Sequence, residues 1–220
     1  MDCGHPFGSV TTMIVMQTLS RKLVHSVAGP GFLLFWPFFG PSLAARFISS
    51  ITPALNGLSL YLAGSQTVED ERFVSAISRS GNPTELLRGP LYYTIVLTMV
   101  TLFLWRESLI SVAIVSIMCG GDGLADILGR SLGKDLPLPW NPQKSWPGTI
   151  AMFFGGFLVS VLLTLYFSYF GFVSYDLVTI QKLAALSGAA SILESLPINH
   201  AIDDNVSVPI FVALLGYFIL

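Results

Sequence analysis

The residues best able to do chemistry run from Cys119-Gly-Gly-Asp122-Gly-Leu-Ala-Asp126 through Gly129-Arg130 to Gly133-Lys134. Asp122 and Asp126 are four apart, so on a helix both carboxylates point the same way. They stand at the end of a strongly apolar stretch, where an ionised carboxylate is expensive without a partner. A divalent cation is the natural partner, because Mg²⁺ prefers one or two carboxylates together with substrate phosphates. Gly121 and Gly123, with Gly120 beside them, let backbone approach a ligand closely and leave N–H groups for anionic oxygens. The plainer alternative is a pair of helix-end acids neutralised by Arg130 and Lys134.

A second stretch, Lys144-Ser145-Trp-Pro-Gly148-Thr149, stands where an apolar segment begins. A lysine and hydroxyls beside a helix start hold a phosphate through the amide dipoles there; alternatively, Lys144 snorkels beside an interfacial tryptophan. Towards the C-terminus come Glu194, Asp203, Asp204 and Asn205, able to bind metal or orient an alcohol, or else forming a hydrated acidic turn. Arg79, Glu85 and Arg88 precede another apolar stretch and suit either a nucleotide or a solvated connector. Lys22 and His25 open the first apolar stretch, and a lone intramembrane histidine is more often structural than catalytic. Familiar motifs fail: Gly129 to Lys134 is one residue short of a phosphate-binding P-loop, Leu-Ala-Asp126 after Asp122-Gly123 breaks the CDP-alcohol phosphotransferase pattern, and no His/Cys cluster has zinc spacing.

These residues need a membrane scaffold to position them. The 220-residue chain is 53% hydrophobic and 11% charged, with net charge −2, whereas soluble domains run at about 25% charged. The mean hydropathy is +0.70. Disorder and a basic nucleic-acid-binding surface are excluded by the same figures, and a disulfide-rich secreted domain by a count of two cysteines, Cys3 and Cys119. A helix spanning a bilayer core needs roughly 20 apolar residues, which gives seven candidate spans: 23–39, 43–64, 91–105, 108–128, 148–173, 183–198 and 206–220. The expected fold is all-α: a polytopic integral membrane protein of six to seven transmembrane helices in one bundle. Residues 1–220 then form a single membrane-embedded domain, with 1–20 an unstructured or truncated segment lacking a clear transit peptide. If every span crosses, Arg21, Lys22, Arg72, Arg79, Arg88, Arg130, Lys134 and Lys144 share one face, and only Arg46, Arg106 and Lys182 fall on the other. Cationic loops resist translocation, so this asymmetry is the expected one. It also brings Asp122, Asp126, Glu194, Asp203 and Asp204 to the cationic face.

The sequence resembles the plant phytol kinase and farnesol kinase proteins of the polyprenol kinase family, with dolichol kinases as distant relatives. The resemblance is carried by Arg21-Lys-Leu-Val-His25, Glu85-Leu-Leu-Arg-Gly-Pro-Leu-Tyr-Tyr93, Gly121-Asp-Gly-Leu-Ala-Asp-Ile-Leu-Gly-Arg130, Lys144-Ser-Trp-Pro-Gly148 and Glu194-Ser-Leu-Pro197 with Asp203-Asp-Asn205. Gly29-Pro-Gly-Phe32, Trp105-Arg-Glu-Ser108 and Cys119-Gly-Gly-Asp122 lean towards the farnesol kinase branch. The resemblance implies transfer of phosphate from CTP, or another nucleoside triphosphate, with Mg²⁺, to the hydroxyl of farnesol, geranylgeraniol or phytol. It implies a plastid membrane and a place in isoprenoid salvage, including salvage of phytol into tocopherol.

On that expectation Asp122 and Asp126 hold the metal, and Asp203 or Asp204 holds a second ion. Arg79, Arg88, Arg130, Lys134, Lys144 and Ser145 face the phosphates, with Gly121 and Gly123 offering backbone, while Glu194, Asp203 or Asp204 accepts the alcohol proton. Two other readings stay open: a CTP-using lipid cytidylyltransferase, and a transporter with intramembrane acids on its path.

Overall fold

The chain's computed structural model describes residues 26–78, 80–197 and 202–220. Lys22, His25 and Arg79, expected at the site, lie outside the described residues, as does the segment 1–20. In lipid every backbone polar group must be satisfied internally, and the apolar stretches accordingly fold as helices. The first, α1, is Ser26–Phe38. It is followed by α2 (Leu43–Gly64), α3 (Glu71–Ile77), a 3-10 turn (Pro83–Leu87), α4 (Gly89–Phe103) and α5 (Leu109–Ser116). A π-helical turn, Ile117–Gly121, carries α5 directly into α6 (Asp122–Leu132). A two-stranded antiparallel hairpin, β1 (Pro137–Leu138) and β2 (Asn141–Ser145), leads to α7 (Trp146–Tyr169), α8 (Leu177–Ser195) and α9 (Asp204–Ile219).

The fold is all-α and polytopic, as the sequence indicates. Among the described residues, four helical stretches are long and apolar enough to cross a membrane: Pro83–Phe103, Leu109–Leu132, Trp146–Tyr169 and Leu177–Ser195. Ser26–Phe38 and Asp204–Ile219 are apolar but shorter. Helix α2 has the length but carries Arg46, Ser49, Ser50, Thr52, Asn56 and Ser59.

Several boundaries differ from the sequence expectation, among them the end of α7, which falls at Tyr169 instead of residue 173. Helix α8 begins at Leu177 instead of residue 183, because Asp176 caps it by accepting a hydrogen bond from the Thr179 amide at 2.7 Å. Helix α6 continues past residue 128 to Leu132. The segment expected as a loop after Gly129 contains the hairpin, whose register shifts between Pro137 and Leu138.

The helices alternate in direction. Helices α4, α7 and α9 begin, and α6 and α8 end, around one cavity. At the far ends, Arg46 pairs with Glu107 at 3.7 Å, and Arg106 donates to the Trp36 carbonyl at 3.1 Å, tying α1 to the start of α5. Lys182 donates to the Leu220 carbonyl. Of the cations in the division read from the sequence, Arg88, Arg130, Lys134 and Lys144 lie at the cavity end, and Arg46, Arg106 and Lys182 towards the other.

Buried apolar side chains form two clusters. The larger joins α1, α4, α5, α7, α8 and α9 around Trp36, Trp105, Val112, Phe167 and Leu186. The smaller joins α2, α3 and the 3-10 turn around Leu60, Val74 and Leu86. Where α5–α6 crosses α7, glycines replace side chains: a Cβ on Gly155 would collide with the Gly120 carbonyl. Close approach through small residues is how membrane helices associate.

Candidate active site

At the end of the bundle where α4, α7 and α9 begin lies a cavity of about 1140 Å³. Single small-molecule pockets span roughly 300–1,000 Å³, so this one is slightly larger than that range. Its wall takes Arg88 from the start of α4, Asp122, Asp126 and Arg130 from α6, and Lys134 just beyond. Lys144 and Ser145 come from β2, Glu194 from the last turn of α8, and Asp203, Asp204 and Asn205 from the start of α9. Side chains over a hundred residues apart in sequence share one space.

Local structure explains each placement. The π turn ends at Asp122, and on the α-helix that follows Asp122 and Asp126 come to the same face. Ser145 is the N-cap of α7, accepting from the Gly148 amide at 3.3 Å. Asp203 is the N-cap of α9, its Oδ1 accepting from the Asn205 amide and the Asn205 side chain, each at 2.9 Å. A helix start carries unpaired N–H groups and a positive dipole end, and three of them (α4, α7, α9) open on this cavity.

Lys144 is the hub. Its ammonium donates to Glu194 Oε1 and to Asp204 Oδ2, the latter at 3.0 Å, joining β2 to α8 and α9. Burial alone would push this ammonium towards neutrality, but the Glu194 and Asp204 carboxylates outweigh that and hold the Lys144 pKa above the ordinary lysine value. The hairpin is aimed by Asn141, which is buried and donates from Nδ2 to the Ser195 and Leu196 carbonyls at 3.2 and 3.3 Å. Asp126 pairs with Arg130 at 2.9 Å. Asp122 borders a small cleft with Glu194, Asp204 and Asn205, floored by Met118, Met152 and Val208.

Among the described residues no three His, Cys, Asp or Glu side chains form a ready-made metal cage. The donors that line the cavity are carboxylate oxygens from several elements. That set fits Mg²⁺, which takes one or two carboxylates and completes its shell with water and phosphate.

A rice protein described as a probable phytol kinase 1, chloroplastic, is 45% identical to this chain over 214 residues, which is 96% of this chain and 68% of that protein. Arabidopsis phytol kinase 1, chloroplastic, is 42% identical over 205 residues, 93% of this chain and 67% of its own length. This chain belongs to the phytol and farnesol kinase family. Arabidopsis farnesol kinase, chloroplastic, is 39% identical over 203 residues, 92% of this chain and 66% of that protein. The identities to these two phytol kinases exceed that to the farnesol kinase, against the lean towards the farnesol branch drawn from residues 29–32, 105–108 and 119–122. No family model matches the chain, and no solved structure matches it.

For this family member, two sequence expectations need correction. Gly121 and Gly123 do not line the cavity. A Cβ on Gly121 would stand 3.1 Å from the Met152 carbonyl of α7, and one on Gly123 would collide with Ser26 of α1. Their missing side chains serve helix packing. The glycines that do reach the cavity are Gly89, Gly129, Gly133 and Gly148. Gly129 and Gly148 lie where α6 and α7 cross: a Cβ on Gly148 would stand 3.4 Å from Gly129 Cα. Thr149, one of the hydroxyls read beside Lys144, lines the cavity, whereas the sequence reading missed Asn56 and Thr94 on its wall, gave Tyr93 no role, and missed Asn141 behind it. Of these, only Asn56, an amide inside a largely apolar helix, carried a signal legible in advance.

Proposed function

We propose that this chain is a membrane-bound kinase that moves the terminal phosphoryl group of a nucleoside triphosphate, CTP in our reading, to the hydroxyl of an isoprenoid alcohol. The observation supporting this most strongly is the single cavity, at one end of an apolar bundle, that gathers Arg88, Asp122, Asp126, Arg130, Lys134, Lys144, Glu194, Asp203 and Asp204. Relatives named phytol kinase and farnesol kinase support an isoprenoid alcohol as substrate, relatives named chloroplastic support the plastid, and the apolar helices support its membrane; geranylgeraniol is a further candidate of our reading. Isoprenoid salvage, including supply of phytol to tocopherol, is the metabolic setting that this reading assigns.

The alcohol oxygen forms a bond to the terminal phosphorus while the bond to the bridging oxygen breaks and the nucleoside diphosphate leaves. Phosphoryl transfer asks mainly for positioning and charge neutralisation. Asp122 and Asp126 are the residues assigned to hold Mg²⁺, with Asp203 or Asp204 available to a second ion. When bound, Mg²⁺ supplies neutralisation of the triphosphate charge. Arg88, Arg130 and Lys134 draw the phosphates to the cavity, and Ser145 presents the start of α7 to them. Lys144 has three N–H donors; two are engaged by Glu194 and Asp204, and the third is directed at a phosphate oxygen. The alcohol proton passes to Glu194, Asp203 or Asp204.

The test is product analysis in proteoliposomes with phytol, geranylgeraniol and farnesol, each against four nucleotides labelled at the α or the γ phosphate. Label from the γ position in a prenyl monophosphate supports the reading. Label from the α position in the lipid, with pyrophosphate released, would identify a cytidylyltransferase instead.

A further inference from the structure

The cavity has two unlike walls. One carries the charged residues described above. The other is formed by Ala28 of α1, Asn56 and Leu60 of α2, Ile77 of α3, and Tyr93 and Thr94 of α4. This second wall lies on the seam between the two apolar clusters: Leu60 and Ile77 belong to the smaller, Tyr93 to the larger. A seam between two packed units is a slot that an apolar chain can occupy without breaking either core.

Asn56 marks the slot. It lies in one stripe of α2 with Ser49, Pro53 and Leu60, spaced at i, i+4, i+7 and i+11, and those three are buried. Asn56 is exposed, and it lines the cavity. It stands at the edge of the buried stripe, with exposed Thr52 and Ser59 on its other side, and of these three only Asn56 lines the cavity. Its amide, which can both donate and accept, stands on a wall that also carries the apolar Ala28, Leu60 and Ile77, where it can pair with a hydroxyl. Ala28 is also exposed and lines the cavity, so α1 and α2 both border it.

We propose that the isoprenoid alcohol lies along this α1–α2–α4 wall, entering from the bilayer between α1 and α2. Asn56 acts as a positioning residue for the alcohol, and Leu60 and Ile77 set the accepted chain length. The inference rests on the prenol kinase reading and adds where the prenol sits. The charged wall takes the nucleotide, and the two substrates meet between the walls. Burial of each extra methylene is worth about fourfold in affinity, so a bulkier side chain in the slot shifts preference towards shorter alcohols.

The test uses the full chain in lipid nanodiscs with a farnesol analogue carrying a diazirine at its tail, its crosslinks mapped by mass spectrometry. The expected result is labelling of α2 and α3, centred on residues 56–60 and 77, competed by unlabelled prenol and not by CTP. In the same membranes, Ile77→Trp should raise the preference for farnesol over phytol at least tenfold. Asn56→Leu should raise the KM for prenol at least fivefold with the nucleotide KM unchanged, and Asn56→Gln should restore part of it. Crosslinks confined to α7 and α8, or label displaced by CTP, would overturn the assignment even if the kinase turns over. Crosslinking on α2 without any phosphate transfer would support the slot while overturning the kinase reading.

Discussion

Lys144 and Asp204, 60 residues apart, meet at 3.0 Å, and the same ammonium also engages Glu194. The three groups pin the hairpin to the end of α8 and the start of α9, so the charged wall is also a structural joint. Removing one partner leaves a buried charge uncompensated, and that costs about 3–5 kcal/mol where burial is deep. Glu194 is only 5% exposed. Lys144→Met should therefore lower the thermal midpoint in detergent and abolish turnover. The double variant Lys144→Met with Glu194→Gln should recover much of the stability and none of the activity. Recovery of both would show that the pair is structural alone.

The pH dependence of that joint follows from the raised Lys144 pKa. A pKa raised on folding contributes stability that is complete below the unfolded lysine value, about 10.4, and is lost as pH rises through the folded value above it. The stability difference between the wild type and Lys144→Gln should therefore stay level from pH 6 to about 9 as regards Lys144 itself, and shrink only at more alkaline pH. Thermal unfolding across that range checks this. A difference that disappears between pH 7 and 9 would mean that Lys144 is not held in its charged form.

Asn141 holds the hairpin through two carbonyls at the end of α8. Asn141→Ala removes a buried donor and leaves those acceptors without it, at about 1–3 kcal/mol. With every charged group intact, kcat should fall at least tenfold, because Lys144 and Ser145 lose their aim. Steady-state kinetics beside a thermal melt separate this from simple unfolding.

The glycine crossing gives a contrast. Gly155→Ala places a methyl against the Gly120 carbonyl and should cost about 1–3 kcal/mol. Gly31→Ala has nothing within 4 Å of the new methyl and should be neutral or stabilising. Equal melting points for the two variants would contradict the close crossing of α5–α6 and α7.

The helices were legible because apolar runs and caps are local signals: α2 has the bounds read for it, and α4, α7 and α9 begin within two residues of theirs. The gathering of Asp122, Lys144, Glu194 and Asp204 at one end was legible through the alternation of spans, which carries charge placement across the chain. What stayed hidden depends on contacts between distant elements. Nothing near Gly121 or Gly123 says whether a glycine faces a ligand or a neighbouring helix, and only Met152 and Ser26 decide it. The same holds for Asn141, whose partners lie more than fifty residues away. The span from residue 183 leaves out Gln181 and Lys182, yet the Asp176 cap starts the helix before them.

The most direct measurement is transfer of γ-phosphate label from nucleotide to prenol by the wild type and by Asp122→Asn, in the same proteoliposomes at matched protein. Losing a group that acts on developing charge costs about 3–4 kcal/mol of barrier, or two to three orders of magnitude in rate. The expected outcome is labelled prenyl monophosphate from the wild type and at least a hundredfold less from Asp122→Asn, with equal insertion and melting point. Comparable rates from the two proteins would contradict a role for the gathered carboxylates in phosphate transfer.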